Sequence, residues 1–434
     1  MRPHLLYTAW SFPPSRAGGV YRALATVNAF AEDGWDVTVL TVPREVFASS
    51  TGIDDSLERQ LSPNVRVERV DPKATAHISD LHQWSHLRAR NIELWRGIDR
   101  LRDLTRFPEL TYGRWRPELE RAAARVHAAK PVDLAIGTAN PNVDFATGAY
   151  LSQRFGVPYV MDYRDAWGLD VFSGERLGSW IPGRNRVESR LLARAAEVWF
   201  VNEPIRSWHA RTFGGAERMH VVANGYDEYD VPLNVPVRPL RGEGLVFGYI
   251  GTLSDQVPVQ PLIRGWRIAR ERNMIPQTAQ LVIHGYVGHS GTGAAADAMA
   301  DAAADNVVFR GPVTKSRIGD VYAGFDALVL ALGTGLYVTS GKVYEYAATG
   351  IPIVSVHDPR NAATDVVRDA PGWSGTRSLD PADIADALAV TARTAAAQTD
   401  DERTLAQAWG AQYARRAQLE PRVAALRRLV EGKK

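Results

Sequence analysis

Thr339-Ser340-Gly341-Lys342-Val343-Tyr344-Glu345-Tyr346-Ala347-Ala348-Thr349-Gly350-Ile351-Pro352-Ile353-Val354 is the stretch on which the fold turns. It reads as a loop, a short helix, a turn and a buried strand. Ser340 is of the type that caps a helix start, and Gly341 leaves the first turn uncrowded. The orphan backbone N–H groups and the positive dipole end at that spot suit a phosphate. Glu345 follows about one turn further in, where a carboxylate can accept hydrogen bonds from ribose hydroxyls. Gly350 ends the helix, and Ile351-Pro352-Ile353-Val354 has the unbroken apolar character of a parallel-sheet strand. The plainer alternative is an amphipathic helix with a surface glutamate, and the rest of the chain decides between them.

Working outward, strand, turn and helix repeat in both halves. His4 to Ala9 is a strand that runs through the Pro13-Pro14 and Gly18-Gly19 loop into a helix from about Tyr21 to Glu32, a Rossmann-like opening. No G-x-G-x-x-G stands there, which counts against a nicotinamide dehydrogenase. Strands follow at 36–42, 64–70 and 132–137. The polar turn after the last of these holds Asn140-Pro141. The next strand ends in Asp162-Tyr163-Arg164-Asp165-Ala166-Trp167. Polar groups at the carboxyl ends of parallel strands face the ligand crevice of open α/β sheets. Asp162, Arg164 and Asp165 are therefore site candidates, with an Asp–Arg pair that merely locks the loop as the alternative. A glycine-rich loop covers 169–184, and strand 197–202 leads to the Asn224-Gly225 turn, which demands a positive φ. The proline-bearing segment 232–244 reads as a linker. A second strand and glycine turn begin at Leu245–Leu253, followed by strands at 280–284, 306–313 and 325–332 and a glycine turn at 288–293. An edge segment is expected at 366–372, a helix over Pro381–Ala396, and one long last helix from Asp401 to about Glu431.

Three of these stretches together resemble the retaining GT-B glycosyltransferases of family 4: the Ser340–Glu345 helix, the Asp-Tyr-Arg-Asp-x-Trp strand end after a Pro turn, and the Asn224-Gly225-Tyr226-Asp227 turn. The resemblance covers most of the chain and is weakest over residues 43 to 130. It implies that Ser340, Gly341 and Lys342 hold a donor diphosphate while Glu345 grips the ribose. It implies that Gly18 and Gly19, Gly251 and Thr252 let backbone approach the donor, and that Gly311 and Val313 offer backbone groups to the base. Asp165, Asp162 and Arg164 then take catalytic places, and Asn140 and Trp167 acceptor places. The chain departs from the pattern at three points. Phe145 stands nearest the position of a common histidine. The loop Ser254-Asp255-Gln256 carries no cation, leaving the phosphate to Lys342, the helix start or Arg264. Tyr337 stands where many members have a first glutamate, so Thr334, Gly335, Tyr337 or Val338 would line the sugar space.

The 434 residues suggest two or three domains, and 45% hydrophobic with 23% charged residues is ordinary for a folded soluble protein. No cysteine is present, which excludes disulfides, thiolate metal sites and cysteine nucleophiles. A net charge of +2, with no helix-turn-helix or aromatic-basic repeat, gives no argument for nucleic acid. No apolar run approaches bilayer length, and Met1 to Trp10 enters a strand without a charged-then-apolar leader, so a cytoplasmic location is expected. Residues 80 to 130 are helical and rich in Trp and Arg. Two readings stay open there: a helical insertion packed on its own domain, the commoner case, or a basic amphipathic surface that touches a membrane.

The expectation is therefore an α/β protein of GT-B type, two Rossmann-like domains facing a cleft with the C-terminal helix crossing back to the first. The first, 1–235, would bind the acceptor and the second, 236–410, the nucleotide sugar, with 411–434 as the returning helix. The donor would be a UDP- or GDP-type sugar and the acceptor a small molecule or a lipid-linked one, with no tightly bound cofactor. No Asp-x-Asp pair stands at a strand end, so no metal site is expected. A sugar-nucleotide 2-epimerase and a non-catalytic nucleotide-binding partner are the rival readings.

Overall fold

The computed structural model describes residues 2–73, 81–177, 181, 183–228, 237, 244–254, 256–286, 302–314, 317–333 and 335–432. Almost all of the expected linker at 232–244, the turn at 288–293, Asp255 and Thr334 lie outside the described residues. The chain forms two compact units, one of Met1–Asp170, Glu175–Ala223 and Leu419–Lys434, the other of Val171–Gly174 and Asn224–Gln418.

The first unit is built on seven parallel strands: β1 His4–Thr8, β2 Asp36–Thr41, β3 Val65–Arg69, β4 Leu134–Ala139, β5 Tyr159–Tyr163, β6 Glu197–Phe200 and β7 Met219–Val221. Their order is β3-β2-β1-β4-β5-β6-β7. The winding reverses between β1 and β4, where Leu5 to Thr8 lie beside Leu134 to Gly137. Such a reversal opens a crevice at the carboxyl edge of an α/β sheet. Leu5, Tyr7, Val37, Val39, Leu134 and Ile136 pack with Ala23, Val27 and Phe30 of the helix Val20–Glu32. The last helix, Arg415–Glu431, joins this core through Leu419, Val423, Leu426 and Val430, one stripe at helical spacing. Arg427 holds it there, donating to the Asp33 carboxylate at 2.7 Å.

The helical insertion adds helices His86–Arg90, Ile92–Arg106 and Arg116–Ala129. It is anchored by aromatic residues, with Trp115 edge-on to Trp10 at 5.0 Å and its indole N–H donating to the Val70 carbonyl.

The second unit repeats the plan with β8 Val246–Ile250, β9 Gln280–His284, β10 Val307–Gly311, β11 Ala327–Ala331, β12 Ile353–Val356 and β13 Trp373–Gly375. The order β10-β9-β8-β11-β12-β13 is again parallel and reverses between β8 and β11. The expected edge segment sits a few residues late: 363–367 is a short helix and β13 is the edge strand. The single long last helix is two helices, Asp400–Gly410 and Arg415–Glu431. The break is imposed by tertiary pairing, since Tyr226 N–H donates to the Tyr413 carbonyl and Arg415 N–H to that of Tyr226.

Candidate functional site

In the second unit the expected donor residues gather at the carboxyl edge of the sheet. Gly251 directly follows β8, Gly285 directly follows β9, and β10 closes on Gly311. Gly251 N–H donates to the His284 carbonyl at 2.8 Å, and Gly285 N–H to that of Gly311 at 2.9 Å. A Cβ at Gly285 would run into the Gly251 carbonyl, and one at Gly251 into the Lys342 ammonium. Three neighbouring strands thus end without side chains, leaving a bare backbone ledge.

The helix Lys342–Thr349 starts at this ledge. Its N-cap is Gly341, and no side chain caps it; Ser340 contributes its backbone carbonyl, which accepts from Val343 N–H at 3.2 Å. The expected Ser340 cap is therefore not made, and the helix start is left to the backbone. Lys342 folds back over the Tyr249 ring, its nitrogen 4.5 Å from the centroid and 3.2 Å from the phenol oxygen. Burial pushes its ammonium down to about 8, with the Glu345 charge opposing the fall. A cation held away from water beside a helix start makes that end electropositive. Glu345, one turn on, accepts from the Tyr322 hydroxyl at 2.9 Å, and Tyr322 itself is buried. Tyr322 was not foreseen, since nothing in its own helix, Ile318–Ala323, marks it. Gly350 terminates the helix in the left-handed region at φ 69°.

The other donor-side residues are less engaged. Thr252 is exposed, its carbonyl accepting from Tyr249, and Val313 is half-buried beyond Gly311. Arg264 lies on the face of Val259–Glu271 opposite buried Leu262, Ile263 and Trp266, so it is not turned toward the core side of its helix. The Tyr337 ring fills the space a Cβ on Gly174 would need, at 2.7 Å.

In the first unit the structure sorts the strand-end residues. Asp162 is fully buried at the end of β5. Both its oxygens accept from Arg22, at 2.6 to 3.0 Å, and one also from the Thr138 hydroxyl at 3.0 Å. Arg22 also donates through Nη1 to the carbonyls of Val222 and Ala223. Asp162 is thus a buried counter-ion tying the first helix to two loops. Arg164 and Asp165 pair with each other at 2.7 Å, with Asp165 half exposed and Arg164 lying where a Cβ on Gly19 would fall. Gly18 beside it is exposed and unobstructed. Asn140 is exposed just past β4. Trp167 is 6% exposed and stacked flat on Phe107 at 5.1 Å, which uses one ring face for packing. Phe145 packs on Tyr163 at 5.0 Å.

The insertion brings one unforeseen acid to this edge. Glu109 accepts from Asn142 N–H, the Asn142 amide and Val143 N–H at 2.7 to 2.9 Å. Burial raises it to about 7, and it lies near Asp144, whose own carboxyl is raised by burial. Among the described residues no group of three or more His, Asp or Glu side chains is placed to hold a metal ion.

Two parallel sheets with this winding, and a terminal helix returning to the first, define the GT-B architecture. A glycosyl transferase 4-like domain model matches residues 17–225, and a model of the glycosyl transferases group 1 matches 244–394. The chain therefore belongs to the glycosyltransferases of GT-B fold. Solved structures of similar fold include Anabaena HepE in complex with UDP, at 16% identity over 98% of this chain and 99% of that one, TM-score 0.64. Sucrose-phosphate synthase from Thermosynechococcus elongatus matches at 16% identity over 100% of both chains, TM-score 0.61. A putative UDP-N-acetylglucosamine 2-epimerase from Listeria monocytogenes matches at 12% identity over 100% and 98%, TM-score 0.56. No curated protein matches the chain.

Proposed function

We propose that this protein transfers a sugar from a nucleoside-diphosphate sugar, of UDP or GDP type, to an acceptor hydroxyl with retention at the anomeric carbon. The observation that carries the reading is the pairing of Lys342 and Glu345, one helical turn apart, beside the Gly251, Gly285 and Gly311 ledge. The ledge admits the diphosphate close to backbone, and the helix start and Lys342 meet its charge. Glu345, steadied by Tyr322, accepts from the ribose hydroxyls. In transfer, the bond between the anomeric carbon and the diphosphate oxygen breaks, and a bond from that carbon to the acceptor oxygen forms. The acceptor proton passes to the departing diphosphate or to water. Asp165 and Arg164 are the acceptor-side groups in this reading, with Asn140 beside them. Asp162 acts through Arg22 as a positioning residue. The binding of UDP by HepE, a protein of the same fold, supports a uridine donor.

A thermal-shift panel with UDP, GDP and TDP, followed by the matching sugars, tests the donor. A shift with one nucleotide that Glu345→Ala removes is the expected result, and no shift with any of them overturns the reading. Turnover then separates the rivals. A transferase releases nucleotide when acceptor is added, a 2-epimerase converts donor with no acceptor, and a binding partner does neither.

A further inference from the structure

The helix Ile92–Arg106 is turned inside out. In a helix packed on a soluble domain the apolar stripe faces the core and the charges face water. Here Asp99 and Asp103 are buried, and both pair with Arg114, at 2.6 and 2.9 Å. The opposite stripe carries Leu94, Ile98, Leu101 and Thr105, at spacings of four, three and four. Leu94 is 52% exposed and Leu101 62%, and Leu81, Leu87 and Ile92 are exposed nearby. Arginines flank the apolar stripe on both sides. Arg100 and Arg102 stand on either side of Leu101 and are exposed, whereas Arg96 and Arg106, seven residues from Asp103 and Asp99, belong to the acid face. Glu93, paired with Arg96, is the acid among the exposed residues of this helix.

Two cavities border the helix. One, of about 340 Å³, is lined by Arg88, Arg96 and Arg100 with Ile92, Trp95 and Asp99. The other, of about 360 Å³, is lined by Lys73, Arg102, Arg106 and Arg121 with Glu118. Arg88 is clamped between the Trp84 and Trp95 rings, at 4.0 and 4.5 Å, which stiffens the approach to the helix.

We propose that this helix lies flat on an anionic lipid bilayer, with Leu94, Ile98 and Leu101 entering the acyl boundary and the flanking arginines meeting headgroup phosphates. An apolar stripe exposed to water is a standing cost unless something covers it. Arg100 and Arg102, exposed on either side of Leu101, select the cover: a neutral apolar partner would leave them without counter-charge, whereas an anionic lipid surface satisfies the stripe and both cations together. No described helix is long and apolar enough to cross a membrane, so the contact is one of lying on the surface. The inference concerns the insertion alone and does not depend on the reading of the donor residues.

The test is flotation of the full chain with phosphatidylcholine vesicles, with and without added phosphatidylglycerol. Binding to the anionic vesicles, absent from the neutral ones and lost in high salt, is expected. Leu94→Ser/Leu101→Ser should weaken it about tenfold or more, since both side chains then stay in water. Arg100→Gln/Arg102→Gln should weaken it by a similar factor, through loss of two charges at the surface. These residues are exposed, so melting temperature and nucleotide binding should be unchanged in both variants. Three results would overturn the proposal: no binding to anionic vesicles, equal binding to neutral ones, or binding indifferent to Leu94 and Leu101. A dimer that the double serine variant disperses, without vesicle binding, would assign the stripe to a second copy instead.

Discussion

The ammonium of Lys342 titrates in an accessible range, and that makes the donor reading measurable without knowing the sugar. Burial holds it near 8 in the free protein. A diphosphate docked at the same helix start favours the charged form, so the complex must hold that proton to higher pH. A group whose value rises on binding contributes affinity that is full below its free value and lost as pH climbs from there toward the value in the complex. If the charged form alone binds, the protonated fraction falls from about three quarters at pH 7.5 to about a tenth at pH 9. Nucleotide affinity should then drop about eightfold, which is about 1.2 kcal/mol. The diphosphate is fully ionised across that interval, so the slope belongs to the protein or the base.

Isothermal titration in buffers of different ionisation enthalpy reads both quantities. At pH 8 about half a proton should be taken up per nucleotide bound. Lys342→Met should bind about 10- to 100-fold more weakly, the loss of a charge-assisted hydrogen bond, and show no proton uptake. It also sets the baseline for titration of the base. Zero uptake at pH 8, with an affinity that is flat from pH 7.5 to 9 in the unsubstituted protein, would refute the placement of the anion at Lys342.

Two further outcomes follow from the same geometry. Tyr322→Phe removes the hydroxyl that steadies Glu345, and nucleotide Kd should rise about tenfold, less than for Glu345→Gln, as read by titration at pH 7; an unchanged Kd would show that the Tyr322 contact is incidental. Asp162→Asn leaves the buried Arg22 half-paired and should cost about 3–5 kcal/mol of stability in a denaturant titration, whereas Asp165→Asn should leave stability unchanged and lower turnover.

What could be read without the structure was whatever depends on local spacing. Lys342 and Glu345 stand one turn apart in any helix, and a glycine after an apolar run marks a strand that ends in bare backbone. For that reason Gly251, Gly311 and the Lys342–Glu345 pair could be named in advance, and Gly285 could have been. Contacts between residues distant in the chain left no such mark. Asp162 looks like any strand-end carboxylate, and only Arg22, 140 residues away, makes it a buried counter-ion. Nothing near Trp167 in the sequence announces that Phe107, sixty residues earlier, stacks on its ring. The Ser340 side chain was a plausible cap by type, and the helix begins one residue later.

The helix Ile92–Arg106 shows the limit most clearly. Periodicity establishes that a helix has an apolar and a polar face, but not which of them the rest of the fold will cover. That choice falls to the partner. Here the partner is Arg114, at the start of the next helical segment, and two carboxylates bound to one guanidinium outcompete leucines for the inner position. Once Asp99 and Asp103 are fixed inward, helix geometry allows Leu94 and Leu101 no direction but outward. The exposed stripe is thus a consequence of a buried ion pair. Replacing Arg114 should loosen the orientation of the whole helix, and vesicle binding should fall with it even though Arg114 reaches no lipid.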